Sequence, residues 1–80
     1  MKWHVYMLRC SDDTIYTGIT TDLNRRVEEH NSSLKGAKYT RTRRPTELIY
    51  SEQHEDKSSA SKREHEIKKF SRVQKLGLLK

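Results

Sequence analysis

The sequence predicts a small α+β domain, a three-stranded antiparallel sheet flanked by helices in the order β-β-α-β-α-α. Three observations lead there. Trp3 to Cys10 and Thr14 to Thr20 are rich in β-branched and aromatic side chains on either side of Ser11-Asp12-Asp13. Later stretches carry apolar residues at helical spacing. Eighty residues are enough for one core only, so residues 1–80 are expected to form a single domain. The hydrophobic fraction is 31% and the charged fraction 35%, which implies a thin core. The apolar residues nevertheless cluster with strand and helix periods and one proline interrupts them, which argues against disorder.

The first two segments form a hairpin, because the Ser-Asp-Asp run between them has turn chemistry. Val5 and Met7 alternate with Tyr6, Leu8 and Cys10, so both faces carry bulk and helices are expected on each. Thr21 or Asp22 can cap a helix from Leu23 to about Asn31, ended by Asn31-Ser32-Ser33 and Gly36. Leu23, Val27 and His30 share one of its faces, and Arg26 and His30, four apart, point to one place. The stretch from Lys35 to Pro45 is too polar and basic to pack and is expected to be a loop. Leu48-Ile49-Tyr50 marks a third strand, Glu47 to Gln53. Asp56, Ser58 or Ser59 starts a helix with Ala60, Glu64, Ile67 and Ser71 along one face, which leaves a carboxylate where an apolar residue is expected. Ser71 caps a last short helix with Val73, Leu76 and Leu79 on its apolar side.

The formal net charge is +6. Five basic residues fall between Lys35 and Arg44 and seven between Lys62 and Lys80, so a polyanion is the expected partner. The basic stretches lack the bulky apolar face that enters lipid, and no membrane partner is expected. One cysteine, Cys10, excludes an internal disulfide and suits a reducing compartment. No N-terminal run resembles a signal peptide, so the expected location is the cytoplasm. The histidines at 4, 30, 54 and 65 lack zinc-site spacing, and the three glycines form no phosphate loop.

Tyr6, Tyr16, Arg26, His30 and Glu64 together supply what a phosphodiester-cleaving site requires. Arginine offers a planar fork suited to phosphate, and histidine can relay a proton or bond a tyrosine hydroxyl. A half-buried carboxylate is stabilised either by a cation such as Mg2+ or by a neighbouring Lys or Arg. A tyrosine acts as a base only if nearby cations lower its pKa, which Arg26, His30 and a metal are placed to do. Each residue taken singly has a plainer structural reading.

Their order is more specific. Val5-Tyr6, Tyr16-Thr17-Gly18, Asp22-Leu23-x-x-Arg26-x-x-x-His30 and Ala60-x-x-x-Glu64 resemble the GIY-YIG nuclease domain over nearly the whole chain. Glu66-Ile67-Lys68-Lys69-Phe70-Ser71-Arg72 with Lys75 resembles its small, stand-alone bacterial branch. The resemblance implies Mg2+-dependent or Mn2+-dependent endonuclease chemistry on DNA with one metal. It implies Tyr6, Tyr16, Arg26, His30 and Glu64 as catalytic residues, Glu64 as metal ligand, and Gly18 as a point of close substrate approach. Arg26 rather than Arg25 matches, standing eight residues after the motif glycine. The first motif departs from the family as His4-Val5-Tyr6 and the second as Tyr-Thr-Gly, and no asparagine follows Glu64.

DNA binding is expected through Lys38, Arg41, Arg43 and Arg44 on phosphates and Tyr39 on a base or sugar. Selectivity is expected for branched, nicked or single-stranded shape, with a protein partner as a further source of specificity and a monomer or weak dimer as the working unit. The rival readings are a non-catalytic nucleic-acid-binding module that keeps the phosphate cleft, and an adaptor docking through the helix that ends in Leu78-Leu79.

Overall fold

In the computed structural model, which describes residues 2–32 and 38–79, β1 (Trp3–Arg9) and β2 (Ile15–Thr20) pair as an antiparallel hairpin. Asp12 builds the turn by accepting from both the amide and the hydroxyl of Thr14, and Asp13 takes the left-handed conformation at φ 67°. The third strand, β3 (Glu47–His54), pairs antiparallel with the other edge of β1, giving the order β2-β1-β3. β1 is therefore the centre of the sheet. This is the expected α+β architecture and element order.

The alternation of β1 splits the molecule into two sides. Val5 and Met7 join Ala60 and Ile67 of α3 (Lys57–Lys68) in a core with no exposed members, backed by Trp3, Ile15, Ile19, Ile49 and Phe70. Tyr6, on the other side, meets α1 (Leu23–Ser32) through His30. Cys10 is buried, as a small residue at the end of a strand should be. Of the expected caps, Asp56 starts α3 by accepting from the Ser59 amide. Ser71 starts α4 (Arg72–Gly77) through a reciprocal capping box with Gln74. The core side has a polar margin: Glu52 of β3 accepts from Tyr50, Arg63 and His54, and His54 in turn contacts Ser59. No described helix is long and apolar enough to cross a membrane.

Two local expectations are corrected. The basic stretch does not stay outside the packing, because Lys38–Arg41 form a short helix, α2, whose Thr40 is fully buried. A hydrogen-bonded hydroxyl is cheap to bury, so polarity alone did not forbid it. Ser33, Lys35 and Gly36 lie outside the described residues. The apolar side of the last helix is also not covered: Val73 is 80% exposed, and Leu76 and Leu79 are exposed too, while Phe70 and Leu78 pack against the core instead.

The two sides of this helical region predict a contrast in stability. Ile67→Ala should lower the unfolding free energy by roughly 2–5 kcal/mol, because it empties a closed core position. Val73→Ala should change it by less than about 0.5 kcal/mol. Urea titration of both variants measures the difference.

Candidate active site

The site begins with a cross-strand pair. Tyr6 stands opposite Gly18, and its ring lies over the glycine so closely that a Cβ there would meet the Tyr6 hydroxyl at 2.6 Å and its Cζ at 2.8 Å. The open space over Gly18, expected to admit substrate, is filled by Tyr6 itself. Tyr16, two residues before Gly18 and on the same face of β2, brings its ring to 6.4 Å from that of Tyr6. These are centroid distances at which tilted rings attract.

α1 supplies the opposite wall. His30 is completely buried, with Nε2 2.8 Å from the Tyr6 hydroxyl and its ring 5.1 Å from that of Tyr16. One turn earlier, Arg26 donates to the Tyr6 oxygen and pairs with Glu29 at 2.9 Å. α2 closes the third side: Thr40 Oγ1 lies 2.7 Å from His30 Nδ1, and Tyr39 stacks on Tyr16 at 5.8 Å.

Burial governs the protonation states. It raises the Tyr6 pKa to about 12, and the Arg26 hydrogen bond that pulls it down does not compensate. The expected lowering by Arg26 is present, but burial outweighs it in the free protein. His30 is pushed down to about 4, first by burial and then by the Arg26 charge, with Arg44 adding to it. The imidazole is neutral at pH 7 and contributes no positive charge to Tyr6.

Glu64 comes from α3. Its side chain is 23% exposed, and its charge reaches Tyr6 strongly enough to oppose that hydroxyl's ionisation. It pairs with Lys68 at 3.4 Å, the alternative that periodicity left open for it. Lys68 is half exposed, so the carboxylate loses little if that pair opens. Among the described residues no group of three or more His, Cys, Asp or Glu could hold a metal. One partly sheltered carboxylate does fit Mg2+, which keeps several waters and takes its remaining ligands from substrate phosphate.

The expected nucleic-acid contacts are largely committed to the fold. Arg43 pairs with Asp12 at 3.0 Å, donates to the Tyr39 carbonyl, and lies 4.1 Å over the Tyr39 ring. Tyr39 is thus in contact with both Arg43 and Tyr16. Arg44 donates to the carbonyls of His30 and Glu29, satisfying the end of α1. Arg41 is exposed, and the Lys38 side chain lies outside the described residues. Sequence reasoning missed Thr40 and Glu29. Glu29, three residues after Arg26, was findable from helical ion-pair spacing, whereas nothing local marks Thr40.

The GIY-YIG catalytic domain matches residues 2–76 of the chain. A UPF0213 protein of Desulfotalea psychrophila is 56% identical over 98% of this chain and 71% of its own length. One from Staphylococcus aureus is 54% identical over 95% of this chain and 92% of its own. The solution structure of a UPF0213 protein from Bacillus halodurans superposes with a TM-score of 0.62 at 44% identity, covering 99% of this chain and 83% of that one. A solution structure from E. faecalis gives 0.64 at 44%, over 94% and 79%.

Two outcomes follow from this geometry. Gly18→Ala should displace Tyr6 and cost about 1–3 kcal/mol, whereas Gly77→Ala, with nothing within 4 Å, should leave stability unchanged or slightly raised by thermal melting. In a histidine NMR titration, His30 should protonate near pH 4 rather than 6.5. Because the folded pKa lies below the unfolded one, this group's contribution is fully present above about pH 6.5. It is lost as pH falls toward 4, by at most about 3 kcal/mol.

Proposed function

This chain belongs to the GIY-YIG family, and we propose that it is a metal-dependent endonuclease that hydrolyses DNA phosphodiester bonds. The observation that carries the reading is the convergence of Tyr6, Tyr16, His30 and Arg26, from two strands and a helix, around the Tyr6 hydroxyl. The charge of +6 supports a polyanionic substrate. The substrate class is DNA of irregular shape, branched, nicked or single-stranded, bound largely through phosphates.

Arg26 binds a non-bridging oxygen of the scissile phosphate and stabilises the charge that grows there in the transition state. Phosphate binding also neutralises Arg26, which removes one of the two main influences holding His30 unprotonated. Once substrate and water reach the Tyr6 hydroxyl, Tyr6 takes a proton from the attacking water as its own proton passes to Nε2 of His30, and the water oxygen forms the new bond to phosphorus as the bond from phosphorus to the departing oxygen breaks. Tyr16 packs beside both groups and keeps bulk water off the relay. Glu64 would hold a divalent ion, Mg2+ or Mn2+, which would supply Lewis-acid stabilisation of the departing oxygen.

A non-catalytic nucleic-acid-binding module is the second reading, favoured by one observation: among the described residues no group of three or more His, Cys, Asp or Glu could hold a metal ion. Cleavage of labelled duplex, nicked, flapped, branched and single-stranded DNA in Mg2+ or Mn2+ separates the two. Arg26→Ala should slow cleavage by about 10²–10³-fold. Glu64→Ala should abolish it and leave DNA binding intact in a gel-shift assay. Binding without cleavage by the wild type would select the second reading.

A further inference from the structure

His30 makes a hydrogen bond at each ring nitrogen, to the Tyr6 hydroxyl at Nε2 and to Thr40 Oγ1 at Nδ1. A ring shut off from water and flanked by arginines is neutral and carries one proton, on one nitrogen or the other. The donors at Tyr6 decide which. Arg26 bonds the same phenolic oxygen and can only donate to it. Tyr6 is 1% exposed, so its own proton needs an acceptor inside the protein, and Nε2 is at 2.8 Å. Were Nε2 protonated, two donors would converge on the Tyr6 oxygen and its O–H would be stranded in a buried site, a state that folded proteins avoid. Nε2 is therefore bare, and the ring proton sits on Nδ1, facing Thr40.

We propose that Thr40 is a positioning residue whose hydroxyl oxygen accepts the Nδ1–H of His30 and holds the ring in the tautomer that presents a bare Nε2 to Tyr6. Thr40 is fully buried, so water does not substitute for it. Its importance for the reaction rests on the nuclease reading above; its hold on the ring does not. In the relay, the Tyr6 O–H bond breaks as the N–H bond at Nε2 forms, and the Nδ1–H bond to Thr40 is kept throughout. As the ring becomes cationic, that bond to oxygen strengthens, so Thr40 favours the proton-accepting state. The opposite tautomer already carries a proton at Nε2 and accepts none from Tyr6.

The test is the ¹⁵N NMR signature of the His30 ring in the full chain at pH 7.5, without nucleic acid or metal. The wild type should show a protonated Nδ1 and an unprotonated Nε2. Thr40→Ser should keep that signature, and Thr40→Val, similar in shape but without the hydroxyl, should shift it toward protonated Nε2. In cleavage assays Thr40→Val should lower kcat about tenfold or more with KM little changed, and Thr40→Ser should recover most of the loss. A wild-type ring protonated at Nε2 overturns the proposal, and so does an unchanged tautomer in a folded Thr40→Val protein. The wild-type spectrum remains decisive if the valine variant does not fold. Absence of cleavage by the wild type would sink the nuclease reading alone, and the tautomer signatures would still support or refute the role of Thr40.

Discussion

The buried hydroxyl of Tyr6 is the constraint on which the rest of the site depends. It projects from the central strand, across Gly18, into a space where His30 and Arg26 meet it. A polar group so far from water must be satisfied by the protein, and each partner constrains another element. Gly18 has to lack a side chain, α1 has to present positions 26 and 30 toward the sheet, and α2 has to complete the histidine. The core on the other face of β1, built by Val5 and Met7, imposes no such directional demands. It needs volume and shape, and the site needs donors and acceptors in register.

This division explains what was legible in the sequence. The hairpin, the third strand and the helix starts at Asp56 and Ser71 are local patterns, and they appear in the structure almost where alternation and caps placed them. The shared direction of Arg26 and His30 was legible from a four-residue helical step, and their meeting with Tyr6 and Tyr16 from the family resemblance that the ordered motifs carry. Thr40 was not, because its role depends on a contact with a residue ten positions away and its neighbours give only a basic run. The burial that raises Tyr6 and lowers His30 was equally hidden, as spacing reports which groups meet and not how much water is left among them. The exposure of Val73 shows the converse, an apolar pattern with nothing packed against it.

Charge in this domain does two kinds of work that composition cannot separate. Arg43 and Arg44 fall in the run that most suggests a polyanion, yet one bridges the hairpin turn to α2 and the other satisfies the carbonyls that end α1. Arg26 is likewise held by Glu29 before any ligand arrives. An anionic ligand approaching these residues meets cations that already have partners, so its affinity depends on exchanging contacts as well as on attraction.

α2 has four residues, too few for a helix to persist by its own hydrogen bonds. Its order is borrowed from Thr40 on His30, Tyr39 on Tyr16 and Arg43 on Asp12. The sheet that carries the tyrosines has no such dependence. The sheet beneath the tyrosines is thus as durable as the domain, while α2 depends on tertiary contacts such as these, and short elements of that kind open at lower cost than the whole domain unfolds. Local opening of α2 would bare the His30 and Tyr16 rings that it covers while the sheet stays folded.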